Sequence, residues 1–193
     1  MKSKIGILLM TTGVVLIVSA LLLLFYNFKE DDAAGSSAEI AVENLLEEIP
    51  SSPLENPETD AEAAEEIEID GYRYIGVLTI PALHLELPIL SGWNYEYLKI
   101  APCRYYGSAQ TDDLVIAAHN YRSHFGRLSQ LNAGDAVFFK DANGVVHRYA
   151  VVSKEIIQPT DVETMLNKEN DLTLFTCTYR GSSRMTVRCE RVR

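Results

Sequence analysis

The chain reads as an all-β domain, a closed or nearly closed barrel, carried behind one N-terminal apolar helix. Three observations predict this. From Tyr72 onward the sequence breaks into many short β-branched and aromatic segments separated by Gly, Pro, Asn and Asp, the pattern of short strands joined by turns. Residues 5–28 form one uncharged apolar run, and about 20 such residues span a bilayer as a helix. Between the two lies a stretch, residues 29–70, rich in Glu, Ala, Ser and Pro and free of aromatic residues. Such a stretch buries too little to fold alone.

The apolar run is preceded by Lys2 and Lys4 and followed by Lys29-Glu30-Asp31-Asp32. The excess of positive charge on its leading side places the N-terminus in the cytoplasm and the rest outside, a single-pass topology. The alternative is a signal peptide cut near Ala33-Ala34-Gly35. A signal-peptide core runs only about 7–15 residues, so the longer run is read as an uncleaved anchor. There is no second run of spanning length, and the C-terminus is expected to be free.

The formal charge of −10 over 193 residues is unevenly spread: residues 1–28 carry +2, residues 29–70 carry −14 and residues 71–193 carry +2. The acidity thus belongs to the stretch after the anchor, which is read as a solvated flexible linker. The near-neutral remainder lacks a strong basic run, which disfavours nucleic acid as a partner. Within the linker, Ser36-Ser37-Ala38-Glu39 reads as a capping box before Ile40-Ala41-Val42-Glu43-Asn44-Leu45-Leu46, and Pro50 should stop that short helix. Whether it docks on the folded domain or on a partner, or stays a nascent helix in the stalk, is open at this point. The division expected is 1–28 anchor, 29–70 linker and 71–193 folded domain.

Strands are predicted at Tyr72–Ile80 and Leu85–Leu90, each bounded by proline, and at residues 113–118, 136–140, 145–157, Leu172–Cys177 and 184–192. Asp141-Ala142-Asn143-Gly144 reads as a hairpin turn through its Asn-Gly pair. Short helices are predicted at residues 95–99 and 161–166.

Three of these segments end on residues able to do chemistry. Cys177 closes Leu172-Thr173-Leu174-Phe175-Thr176-Cys177 and precedes a polar turn; Arg184 opens the next strand, seven residues on; His119 follows Leu114–Ala118. Residues 177 and 184 can sit side by side if they flank a hairpin-like connection. Acyl transfer through a thioester needs a thiol nucleophile, a proton shuttle and a positive group for the oxyanion. Each residue type, alone in an apolar strand, is more often a packing residue than a catalyst.

The motifs narrow this. Thr173, Leu174, Thr176 and Cys177 resemble the Thr-Leu-x-Thr-Cys signature of sortases. Arg184-Met185-Thr186-Val187 resembles that family's Arg-led final strand, Ala117-Ala118-His119-Asn120 its histidine motif, and Asp135-Ala136-Val137-Phe138-Phe139 the strand after the histidine loop. Ala118 stands where the family commonly has Gly. The resemblance, covering about residues 72–193, implies an eight-stranded sortase-like barrel and a membrane-anchored cysteine transpeptidase. It implies Cys177 as nucleophile, His119 as proton-transfer residue and Arg184 as oxyanion stabiliser, with Thr176 and Asn120 beside the substrate. The substrates implied are proteins with a C-terminal sorting signal similar to Leu-Pro-x-Thr-Gly, and the acceptor is an amine of a cell-wall precursor or a pilin. No cofactor is required. Calcium, as in some sortases, would fall to Asp112, Asp113, Asp161 or Glu163, although no EF-hand-like spacing is present.

Competing readings are a pilin polymerase, a surface binding domain with an inert Cys177, and a papain-like hydrolase. The pilin type commonly has an Asp-Pro lid and a C-terminal anchor, and neither motif is found. The papain order places Cys before His, the reverse of His119 and Cys177. The other histidines carry no expected catalysis: His84 and His147 read as structural or spare, and His124 as a solvated loop residue. Cys189 reads as core, Cys103 has no assignable role, and a bond between these two cysteines is open at this point. Trp93 and Tyr95 read as either core or groove rim.

Overall fold

The structure, a computed structural model, describes residues 2–51, 66–166, 169–178 and 181–192. The first element is helix α1, Lys2–Glu48. Among the described residues nine strands follow: β1 (Ile67–Ile69), β2 (Tyr72–Ile80), β3 (Leu85–Leu90), β4 (Cys103–Tyr106), β5 (Leu114–Ala118), β6 (Ala136–Asp141), β7 (Val146–Ile157), β8 (Leu172–Cys177) and β9 (Arg184–Arg191). Short helices α2 (Tyr97–Ile100) and α3 (Val162–Met165) precede β4 and β8.

The strand order is β1-β2-β3-β4-β5-β8-β9-β7-β6, and β6 pairs back onto β2. Strands β2 to β9 therefore close an eight-stranded barrel, as expected, and β1 extends the β2 edge as a short hairpin. Closure leaves no free edge in the ring. Most neighbours are antiparallel, but β5 and β8 run parallel over five residue pairs, from Leu114–Leu172 to Ala118–Thr176.

Alternation along the strands builds two apolar layers. Leu78, Ile80, Leu87, Ile89, Ile116, Leu174 and Val187 converge from five strands into one cluster that fills the barrel. Val77, Leu90, Cys103, Val115, Ala117, Ile157 and Phe175 point the other way and form a second cluster with Leu98 of α2 and Met165 of α3. This outer layer is the floor on which the functional groups stand.

Two compact units divide the chain, residues 1–33 and 34–193. In the first, the helix is long and apolar enough to cross a membrane. Its large apolar side chains, from Ile5 to Phe28, are exposed, as a lipid-facing helix requires. The second unit contains residues 34–48 of α1. The helix passes through Ser36 rather than starting there, so the capping box is not used as a cap. It ends at Glu48, two residues before Pro50, whose ring disfavours helix at the residue preceding it. Ala34, Ala38, Ala41, Val42, Leu45 and Ile49 are buried, and the last four join the outer apolar layer. Residues 52–65, the remainder of the expected linker apart from Ser51 and residues 66–70, lie outside the described residues.

Candidate active site

Register brings the three strand-end residues together. In the β8–β9 pair Phe175 faces Thr186 and Cys177 faces Arg184. Facing residues of an antiparallel pair project to the same side, so the thiol and the guanidinium leave the sheet together. On the other flank of β8, Ala118 of β5 lies against Thr176. One residue further along each strand stand His119 and Cys177. All three line one cavity of about 240 Å³ on the outer face of the barrel.

The cavity has an apolar floor and an aromatic rim. Ala117 and Phe175 form the base, and Leu98, Val162 and Met165 contribute from α2 and α3. Tyr105 stands edge-on to Phe175 at 5.2 Å between ring centres, Trp93 packs on Tyr105 at 5.3 Å, and Tyr95 meets Trp93 at 5.9 Å. Trp93 and Tyr95 are 44% and 71% exposed, which settles them as rim rather than core.

Arg184 is held by the loop after the cysteine: its Nη1 donates to the carbonyls of Gly181 and Ser183, each at 3.2 Å. That loop is closed by Thr178 and Ser183, with the Thr178 amide donating to the Ser183 carbonyl at 2.9 Å and the two hydroxyls 3.0 Å apart. The guanidinium therefore moves with the turn that presents the thiol.

His119 is held by its backbone. The Thr176 hydroxyl, 3% exposed, donates to the carbonyl of Ala118 at 2.8 Å, tying the last residue before His119 to the last before Cys177. Downstream, the Phe125 amide donates to the His119 carbonyl at 3.2 Å, and the amides of His124 and Gly126 donate to the Tyr121 carbonyl at 3.0 and 2.8 Å. The loop is so tight at Gly126 that a Cβ there would lie 2.5 Å from the Asn120 carbonyl oxygen. The Tyr121 ring packs on the His119 ring at 4.9 Å. Asn120 is exposed at the loop's start; neither it nor Thr176 is among the cavity-lining residues.

Burial separates the three cysteines, all of them free thiols. Cys103 and Cys189 are fully buried, and desolvation pushes both thiols up to about 12, which disfavours the reactive thiolate. The two are not bonded to each other in this structure: Cys189 lies in the inner cluster and Cys103 in the outer one. Cys189 packs inside the barrel as expected. Cys177 alone is partly exposed.

The remaining candidates take structural places. His124 is fully buried rather than solvated: the loop turns inward after Tyr121, and Phe125 enters the barrel core. His147 lies between Asp141, at 2.8 Å from its Nε2, and Arg191, at 2.7 Å from its Nδ1. His84 adopts a left-handed conformation at the end of a short turn of helix. Asp112 pairs with Arg191, and Asp113 accepts from the Ser108 amide at 3.2 Å. Asp161 caps α3, accepting from the Thr164 hydroxyl at 2.7 Å and from its amide at 3.1 Å. These bonds hold its carboxyl below the usual range, the hydroxyl bond contributing most. Among the described residues no group of three or more His, Cys, Asp or Glu is placed to hold a metal ion.

One buried charge escaped the reading of the sequence. Arg188, 2% exposed, donates from Nε to Glu155 at 2.7 Å, from Nη1 to the Thr173 hydroxyl at 2.9 Å and to the Met165 carbonyl at 3.2 Å, and from Nη2 to the Thr164 carbonyl. It thereby fastens the C-terminal end of α3, whose Val162 and Met165 line the cavity. Its signal was the alternation Arg184-Thr186-Arg188 on the face opposite Met185-Val187-Cys189.

The sequence profile described as the sortase domain matches residues 78–192. Among solved structures, a Clostridium perfringens sortase D5 transpeptidase superimposes with a TM-score of 0.65 at 20% identity, covering 82% of this chain and 99% of that one. Sortase A from Corynebacterium diphtheriae gives 0.58 at 20% identity, with 84% of each chain covered. Sortase C1 from Streptococcus agalactiae gives 0.55 at 25% identity over 62% and 69%. Among curated proteins no relative matches the sequence. The structural likeness speaks for the fold; the profile, spanning more than half of the chain, places the protein in the sortase family of transpeptidases.

Proposed function

We propose that this protein is a membrane-anchored cysteine transpeptidase that cleaves a C-terminal sorting signal similar to Leu-Pro-x-Thr-Gly and transfers the acyl group to an amine of the cell-wall precursor. The observation that carries the reading is the register: Cys177 opposite Arg184, with His119 one residue beyond the Ala118–Thr176 pair, over one cavity.

In this reading the Cys177 sulfur attacks the carbonyl carbon of the scissile peptide, and the developing oxyanion is met by the Arg184 guanidinium. The C–N bond breaks as His119 protonates the leaving amine, leaving a thioester on Cys177. An incoming amine then attacks the thioester, gives its proton to His119 and expels the thiolate, which completes the exchange of one amide for another. The apolar floor and aromatic rim suit an extended peptide with apolar side chains, Thr176 orients the strand ends from behind, and Asn120 meets the substrate at the entrance. The lysines before the helix and the acidic run after it support an N-terminus in the cytoplasm and a catalytic domain outside.

The test is to incubate the full chain in detergent micelles with a panel of sorting-motif peptides and an amine acceptor, and to analyse it by mass spectrometry. An acyl adduct on Cys177 is expected, lost in Cys177→Ala, with transfer impaired in His119→Ala and Arg184→Ala. No adduct with any peptide, together with a Cys177 inert to thiol reagents, would instead make the barrel a binding domain.

A further inference from the structure

The acidic stretch after the anchor is not only a spacer. Residues 34–49 lie on the barrel with six side chains buried, three of them alanines, and small side chains let a helix backbone approach closely. The closest approach falls on the loop that carries His119. A Cβ built on Gly35 would lie 3.1 Å from the Ser123 Cβ, tighter than ordinary contact. One turn further on, Ala38 belongs to the same core cluster as Phe125 and Leu128, the residues that root this loop in the barrel. At the other end the Pro50 carbonyl oxygen reaches within 2.5 Å of where a Cβ on Gly144 would sit, so the segment is pinned to the β6–β7 turn as well.

We infer that residues 34–49 act as a brace for the His119 loop, with the Gly35–Ser123 contact as a positioning contact for the proton-transfer residue. The inference rests on His119 having that role. The loop has little slack to absorb a displacement of Ser123. It is closed at both ends by hydrogen bonds that backbone amides donate to the carbonyls of His119 and Tyr121, it has no room for a Cβ at Gly126, and Tyr121 packs directly on the His119 ring. A shift of Ser123 is therefore passed to the imidazole. Misplacement of a catalytic group by about 1 Å costs about 10²-fold in rate, so a shift of a few tenths suffices to be seen. The brace also moves the working boundary of the catalytic unit to about Ala34.

The test uses the full chain in micelles carrying Gly35→Leu, a substitution that raises helix propensity and so cannot act by weakening the helix. Gly13→Leu, where a Cβ meets nothing within 4 Å, is the control. Two quantities are read: the His119 ring resonances by NMR on histidine-labelled protein, and kcat and KM for the peptide that acylates Cys177. Gly35→Leu is expected to move the His119 resonances and lower kcat about tenfold, with KM nearly unchanged. Adding Ser123→Gly, which vacates the contact, is expected to restore both. Unchanged resonances in Gly35→Leu would overturn the brace, as would failure of Ser123→Gly to restore them. If no peptide acylates the wild type, the transpeptidase reading falls, and the resonances still decide whether the contact positions His119.

Discussion

Arg188 offers the sharpest test of how the cavity is built. Its guanidinium is buried and makes charge-assisted bonds to Glu155, to the Thr173 hydroxyl and to the last carbonyls of α3. Arg188→Met keeps the volume and the apolar stem but removes every donor. Breaking a buried pair by deleting one member costs about 3–5 kcal/mol. Glu155 is 40% exposed and can return to water, so the lower end applies, chiefly from leaving the Thr164 and Met165 carbonyls without a donor. About 3 kcal/mol corresponds to a fall in Tm of about 6–12 °C for a chain of this size. With α3 loosened, the wall formed by Val162 and Met165 should bind peptide less well, raising KM about fivefold while kcat stays within about twofold. Arg188→Lys should fall between, since an ammonium keeps the charge but not the fork. Thermal unfolding followed by near-UV circular dichroism, with peptide kinetics on the same samples, measures both. A Tm within about 2 °C of wild type with KM unchanged would show that the buried guanidinium does not hold the wall.

Three further outcomes follow from the same geometry. Thr176→Val removes the donor to the Ala118 carbonyl and should cost about 1–2 kcal/mol in urea unfolding, with kcat falling more than KM rises; an unaltered kcat would detach Thr176 from the placing of His119. Titration with a thiol reagent should count one fast thiol in the native protein and three after denaturation; a second fast thiol in the native state would contradict the burial of Cys103 and Cys189. Both buried thiols are held neutral in the folded state, up to about 12, whereas the unfolded chain ionises them above about 8.5. Their contribution to stability is therefore full below about pH 8.5 and lost as pH rises toward 12, and Tm should decline more gently in Cys103→Ala and Cys189→Ala than in the wild type over pH 8–10.5.

Local pattern carried the strands whose boundaries are set by turn residues. Tyr72–Ile80, Leu85–Leu90 and Leu172–Cys177 end where proline or a polar turn ends them. Strand β4 was invisible because Cys103–Tyr106 is four residues long, lies between Pro102 and Gly107, and owes its conformation to pairing with β5. β1 is shorter still and exists through β2. The strand-end positions of His119, Cys177 and Arg184 could be read from sequence. Their convergence could not, because it depends on a pairing between strands 58 residues apart. His124 misled for a related reason: its neighbours Asn120, Arg122 and Ser123 are polar, but the hydrogen bonds that close the loop turn it toward the core. The helix before Pro50 was legible in Ile40–Leu46 and its stop, but its upstream continuation through Ser36 and its seat on the barrel were not, because Ala34 and Ala38 are too small to mark a buried face.

The parallel pairing of β5 with β8 also fixes when this protein acquires its cavity. A parallel pair needs a crossover, here β6, β7 and α3, and the strand of Cys177 is among the last to leave the ribosome. When His119 emerges Cys177 is not yet made. When Cys177 emerges, β9, which lies between β8 and β7 and brings Arg184, is not yet made. Long-range contacts of this kind form late and slowly, so closing the ring and assembling the three side chains are one event. A nascent or prematurely ended chain thus carries Cys177 without Arg184 opposite it, and the cavity is complete only with the final strand.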